Sequence, residues 1–343
     1  MTKSEFQELL RKWCFSDADG QDEMLRLKAD IEFLAERLFD EYKPTKNTAD
    51  GPFSVRLAKW IGSAPNETDQ ANLFKLLKHL FFVGQNDLEA ASRTAFSRHI
   101  LEWLIQRRGI NVLSPDARDR MEDALSLVRY TAITDSFNLG DFLRINDIQG
   151  HTVRYTWEQE IEDWDEATFR ERVMRRGKPD ENEKKYLVLL EDFVGSGSQA
   201  LKAILSAQAI AEGDGTLAYE VLFCPLIICP EGAKRAKQLQ DMFPNFRYSP
   251  VLELNEDEFI SPTATPGEKA EFQDFRECVR RLHPTVVGPN ADQDFGPFGY
   301  RQTGAVFVKY DNCPDNSLPV LHRKRTNFWE PLFKRASRMP ING

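Results

Sequence analysis

The chain has 343 residues, with 45 Lys plus Arg against 54 Asp plus Glu, a formal net charge of −9 and a pI near 5.3. At roughly 150 residues per domain the length fits one large or two ordinary domains, and 41% hydrophobic content with 24 Phe and 6 Trp excludes a disordered chain. No apolar run approaches the roughly 20 residues of a membrane helix, no secretory leader is expected, and the acidic balance argues against long nucleic acid as a partner.

The first third reads as helical. Phe6, Leu9, Leu10 and Trp13 fall on one helical face, as do Leu27, Ile31, Leu34 and Leu38. Asp50 to Pro65 holds Gly51, Pro52, Gly62 and Pro65 and reads as loop or short helix. Leu73, Leu76, Leu77, Leu80 and Phe81 make another apolar stripe, and Phe96, Ile100, Trp103 and Leu104 a further one ending near Gly109. Residues 1–125 are therefore expected to form an α-helical N-terminal region.

The pattern then changes. Leu127 to Ile133 is β-branched and aromatic, as strands are. The run Tyr186 to Leu190 is wholly apolar, the mark of a strand buried on both faces of a parallel sheet. A helix through Leu201, Ile204 and Leu205 follows, and then the apolar run Tyr219 to Cys229. Pro225 inside that run predicts a bulge or split. A helix over 233–243, a strand over 248–254, a helix over 272–282 and a late strand over 303–310 complete the series. Strand alternating with helix predicts an α/β domain over 126–343, with a doubly wound, mainly parallel sheet.

Cys14, Cys224, Cys229, Cys278 and Cys313 are odd in number and form no CxxC pair, so free thiols in a reducing cytoplasm are expected. His79, His99, His151, His283 and His322 stand apart and read as structural or surface residues. The segment from Trp157 to Lys178 carries Arg170, Arg172, Arg175, Arg176 and Lys178. It reads as a solvated helix face, with a basic cover over a phosphate site as the alternative.

The most informative run is YLVLLEDFVGSGSQ, Tyr186 to Gln199. Ligands of open α/β sheets bind beyond the carboxyl ends of the strands, and this run places Glu191 and Asp192 there. Adjacent carboxylates repel each other and need a partner such as sugar hydroxyls or Mg²⁺. Gly195, Ser196, Gly197, Ser198 and Gln199 then lead into a helix, whose free N–H groups and positive dipole end suit a phosphate. A tight, well-capped β–α turn is the structural alternative. Neither a Walker loop nor a third Rossmann glycine is present. A second candidate is Thr134-Asp135-Ser136, between a strand end and an amphipathic helix, with simple helix capping as its alternative.

The strand Leu187 to Leu190, the acid pair and the small-residue loop closely resemble the phosphoribosyl pyrophosphate loop of type I phosphoribosyltransferases. Gly195 stands where that family usually has Thr, and Gln199 where a small hydroxyl residue is common. The resemblance implies that Glu191 and Asp192 hold the ribose hydroxyls as the catalytic acids. It implies further that residues 195–199 hold the 5′-phosphate, that Thr134, Asp135 and Ser136 meet the pyrophosphate, and that Mg²⁺ takes part.

The C-terminal run carries Asn312, Pro314, Asn316 and Pro319, then Trp329, Pro331, Leu332, Phe333 and Arg335. With the helical first part, it is similar to the tail of phosphoribosyltransferase-like domains of bacterial conflict (anti-phage) systems. Asn312, Asn316 and Arg335 are candidates for the pocket, while Trp329 and Phe333, four residues apart, are placed to pack the tail onto a core. Three functions stay open: a phosphoribosyltransferase-like enzyme, a non-catalytic nucleotide or phosphosugar sensor acting on a partner protein in a defence complex, and a nucleotide-degrading effector.

Overall fold

The structure is a computed structural model and describes residues 1–15, 21–44, 51–149, 156–157, 185–212, 219–288 and 295–335. Its strands are β1 (Phe81–Val83), β2 (Val128–Ala132), β3 (Lys185–Val194), β4 (Tyr219–Ile228), β5 (Phe246–Tyr248), β6 (Leu252–Glu253), β7 (Phe295–Gly296), β8 (Gly299–Tyr300) and β9 (Phe307–Lys309). The chain divides into two compact units, Met1–Gln85 with Asn255–Gly343, and Asn86–Leu254. That division falls elsewhere than the sequence boundary near 125: the first unit is built from both ends of the chain.

The unit Asn86–Leu254 is organised by a parallel sheet in the order β2-β3-β4-β5, with β6 also on β4. Alternation along the strands explains how it is covered. Leu187, Leu189, Val221 and Phe223 share one cluster with Ala200, Ala203 and Ile204 of the helix Ser198–Glu212 and Ala233, Ala236 and Leu239 of the helix Pro230–Met242. Tyr186, on the other face of β3, meets Trp103 edge-on with ring centroids 5.4 Å apart. Helices on both faces are why β3 and β4 read as unbroken apolar runs. The protein is thus α/β with a mainly parallel sheet and helices before it, as expected.

Pro225 does not break its own strand. The β3–β4 register is constant from Lys185↔Tyr219 to Val194↔Ile228. The interruption falls on the neighbour instead: β5 pairs with 221–223 and β6 with 227–228, with Pro250 between them. The Pro225 carbonyl accepts from Val251 N at 3.0 Å on that side. A residue of a parallel strand presents N–H and C=O to the same neighbour, so the missing N–H of Pro225 faces the gap. For the same reason the strand predicted over 248–254 is two short pieces.

The other unit holds an aromatic core. Phe39, Phe53, Phe82 and Phe333 meet ring to ring at 4.8–6.2 Å. Trp60 and Trp329 both donate from Nε1 to the Val320 carbonyl, at 2.6 and 3.0 Å. Trp329 and Phe333 therefore pack the tail into this core. The helix Phe53–Ile61 fills the stretch that read as loop or short helix, with Pro52 at its N-cap.

Two expectations are corrected in this unit. Phe81, read as part of a helical stripe, lies in β1, which pairs in parallel with β9 more than 220 residues along the chain. No local pattern carries that pairing, and tertiary contact overrides the helical spacing. The helix from Phe272 runs to Val287 through Pro284, beyond the predicted stop at 282. Arg325 Nη1 donates to the carbonyls of Pro284 and Thr285 at 3.0 and 3.1 Å, supplying the partners that a helix end lacks. Among the described residues no helix is long and apolar enough to cross a membrane.

Candidate functional site

Parallel register assembles the site. β2 and β3 pair with Ala132 beside Leu190, so the residues after Ala132 lie against those after Leu190. Ile133 N continues the ladder to the Leu190 carbonyl at 2.9 Å. One step on, the ladder passes into side chains: Thr134 N donates to Glu191 Oε2 at 2.9 Å, and Thr134 Oγ1 to Glu191 Oε1 at 2.9 Å. Ser136 Oγ donates to Glu191 Oε1 at 2.6 Å and lies 3.1 Å from Asp192 Oδ1. Asp192 Oδ1 also accepts from Phe193 N at 2.8 Å. Two segments 57 residues apart in sequence, singled out separately, thus form one cluster at the carboxyl edge of the sheet.

Both acids are buried, with Glu191 4% and Asp192 3% exposed. Every donor to Glu191 is neutral. Burial first, and the Asp192 carboxylate beside it second, push the Glu191 carboxyl well above the usual carboxylate range, against the opposing pull of the Ser136 and Thr134 hydroxyls. Among the described residues no cation reaches Glu191, and a buried acid beside a second acid costs stability.

The loop after the strand is shaped by close backbone approach. Gly195, Ser196 and Gly197 are buried, Ser198 is half-buried and Gln199 exposed. Gly197 has φ +75°, and a Cβ there would lie 2.8 Å from the Gly232 Cα. A Cβ on Gly232 would lie 2.8 Å from the Gly195 carbonyl oxygen. The glycines are thus needed for the turn and for seating the N-terminus of the helix Pro230–Met242. Ser196 Oγ and Ser198 Oγ are 3.2 Å apart where the helix Ser198–Glu212 begins, and Leu201 N bonds to the Gly197 carbonyl at 2.8 Å.

Sequence reasoning missed Gly232 and Arg235. Arg235 Cδ would stand 3.7 Å from a Cβ on Gly197, which sets a cation beside the loop. Its guanidinium is held by Glu231 Oε1 at 3.0 and 3.2 Å. Both residues sit in a helix whose own pattern is ordinary, and only the loop packed on it gives them meaning.

Asn312, Asn316 and Arg335 belong to the other unit. Asn316 Nδ2 donates to Thr303 Oγ1 at 2.9 Å and to the Tyr300 carbonyl at 3.3 Å, and Arg335 pairs with Asp315. Asn312 closes a turn with Lys309, its carbonyl accepting from Lys309 N at 2.9 Å. The basic run Arg170 to Lys178 and His151 lie outside the described residues. The five cysteines are buried free thiols; burial pushes Cys224, Cys229, Cys278 and Cys313 up, so none of these four is a ready thiolate.

A parallel sheet with an acid pair and a small-residue loop at its carboxyl edge defines a phosphoribosyltransferase-like protein. Residues 57–335 match the family model PRTase-CE, and the chain belongs to that family of phosphoribosyltransferase-like domains associated with conflict systems. The match spans parts of both compact units and begins well before residue 126. No curated protein and no solved structure matched the chain.

Proposed function

We propose that the carboxyl edge of the sheet binds phosphoribosyl pyrophosphate, or a related nucleotide or phosphosugar. Glu191 and Asp192 take the ribose hydroxyls, residues 195–199 take the 5′-phosphate at the helix N-terminus, and Thr134, Asp135 and Ser136 face the pyrophosphate. The observation that carries this reading is the burial of both acids, with Glu191 held by the neutral donors of Thr134 and Ser136. Thr134 and Ser136 hydroxyls fill on Glu191 the places that sugar hydroxyls would take.

Among the described residues no group of three His, Cys, Asp or Glu side chains could hold a metal ion. Mg²⁺ keeps most of its waters and binds through one or two carboxylates plus substrate phosphates. The acid pair fits that pattern, so Mg²⁺ would enter with the ligand's phosphates and neutralise the leaving group.

In the transfer reading, an acceptor forms a bond to the anomeric carbon while the bond to pyrophosphate breaks, and pyrophosphate leaves with the electron pair. The acids then orient the ribose and stabilise the developing positive centre. A second reading, a sensor that binds without turnover, is favoured by Glu191 being engaged on both oxygens by the 134–136 segment. Ligand entry has to displace that segment, and such a displacement is a signal a partner protein can read. A role in a bacterial defence system rests on the family's association with conflict systems.

The test is calorimetric titration of phosphoribosyl pyrophosphate with Mg²⁺ into wild type and Asp192→Asn, with pyrophosphate release followed alongside a panel of bases. Binding that disappears in the variant supports the site. Release marks an enzyme, and binding without release a sensor. Absence of binding to wild type overturns the reading.

A further inference from the structure

The loop Gly195 to Gln199 carries two hydroxyls and an amide but no charged side chain of its own. A phosphate held there gains from a cation. The helix Pro230–Met242 supplies one, and topology explains why. It follows β4 as the helix Ser198–Glu212 follows β3, and the two strands are parallel, so both helices begin at the carboxyl edge of the sheet. Cys229 N donates to the Val194 carbonyl at 2.8 Å, which keeps the two strand ends in step.

Side chains on a helix lean toward its N-terminus. Arg235, in the second turn of its helix, therefore leans back toward the sheet edge. Gly232, three residues earlier on the same face, is the residue against which Gly197 packs. Arg235 Cδ lies 3.7 Å from the point a Cβ on Gly197 would occupy. The aliphatic stem thus lies against the loop, and the guanidinium extends from there.

That guanidinium is held by Glu231. Glu231 Oε1 accepts from Arg235 Nε at 3.2 Å and from Nη2 at 3.0 Å. Both bonds go to one carboxylate oxygen, so the two-oxygen fork that makes arginine–carboxylate pairs strong is not formed. The side chains are 30% and 55% exposed, and water screens the pair. Glu231 also stands in the first turn of its helix, where a carboxylate complements the dipole without Arg235. The tie is weak and exchangeable.

Resting on the sheet-edge reading above, we propose that Arg235 is a phosphate-binding residue of the 195–199 loop, and that Glu231 is a positioning residue that holds it aside until phosphate arrives. Glu231 and the ligand compete for one guanidinium. Only an anion displaces the carboxylate, so the site selects phosphorylated sugars over unphosphorylated ones.

The experiment is calorimetric titration of ribose 5-phosphate, without divalent ions, into the full chain and its variants. Arg235→Gln weakens binding about tenfold, the loss of one charge-assisted contact, and Arg235→Lys recovers part of it. Glu231→Gln tightens binding about twofold, the worth of an exposed pair one helical turn apart. That gain disappears in Glu231→Gln/Arg235→Gln. Glu122→Gln makes the same charge change in the exposed Arg118–Glu122 pair and leaves affinity unaltered. Affinity unchanged in Arg235→Gln, with binding still lost in Asp192→Asn and Ser196→Ala, overturns the arginine's role and leaves the sheet-edge site standing. A gain in Glu231→Gln that survives the loss of Arg235, or no gain at all, overturns the competition. No binding to wild type overturns the sheet-edge reading and this one with it.

Discussion

Each compact unit buries carboxylates, and it treats them differently. Asp69, 1% exposed, is met by the Arg281 guanidinium at 2.6 Å and by Asn66 Nδ2 at 2.8 Å, while Asn66 caps the same helix. Glu191, 4% exposed, is met by an amide, two hydroxyls and a second acid. The first arrangement is complete, and its charge serves the fold. The second offers Glu191 no cation among the described residues, and burial beside Asp192 pushes its carboxyl up instead. Burial alone therefore does not separate structure from function, whereas the identity of the partners does.

Substitutions sharpen that contrast. The largest effect is expected at Gly197→Ala. Positive φ and a 2.8 Å approach to the Gly232 backbone combine strain with overpacking, and a loss of about 3 kcal/mol in denaturant unfolding is expected. Loss below about 0.5 kcal/mol would show that the loop and the second helix are not seated on each other.

Arg281→Ala strands Asp69 without its cation. Arg281 is half exposed, so the cost is expected at about 2 kcal/mol rather than the larger value of a fully enclosed pair, read as a drop in Tm. Glu191→Gln should cost far less. It stands in for the protonated, neutral carboxyl that burial beside Asp192 favours and keeps an acceptor for Thr134 and Ser136, so stability near neutral pH changes by less than about 1 kcal/mol while phosphoribosyl pyrophosphate binding is lost. A destabilised Gln variant would make Glu191 a structural residue like Asp69 and break the comparison.

Titration gives the subtlest distinction, because it is read as the sign of a slope. Glu191 has a raised carboxyl in the folded state, so between the ordinary carboxylate value and that raised value the native state binds more protons than the unfolded one. Stability of this unit should then fall as pH rises through the window. His322 of the other unit is pushed down to about 3, by burial first and by Arg323 second. Its native state binds fewer protons than the unfolded chain between about 3 and the ordinary histidine value, so stability falls as pH drops through that window. Hydrogen exchange resolved by unit should show slopes of opposite sign, each at most about 1.4 kcal/mol per pH unit. Glu191→Gln and His322→Asn should each flatten one slope and leave the other.

Much of this was legible in the chain. The apolar runs at 186–190 and 219–229 announced strands buried on both faces, because period and composition are local properties that burial imposes directly. The acid pair and the glycine-serine loop were legible for the same reason, since the motif is contiguous. What only the tertiary structure decided rests on contacts distant in sequence. Register across β2 and β3 set Thr134 and Ser136 onto Glu191. A neighbouring helix gave Gly232 and Arg235 their place beside the loop. The pairing of β1 with β9 joined the two ends of the chain in one unit and turned Phe81 from a helical position into a strand. A sequence states which side chains a segment carries. The partner that completes or fails to complete a buried charge is fixed only when segments far apart in the chain meet.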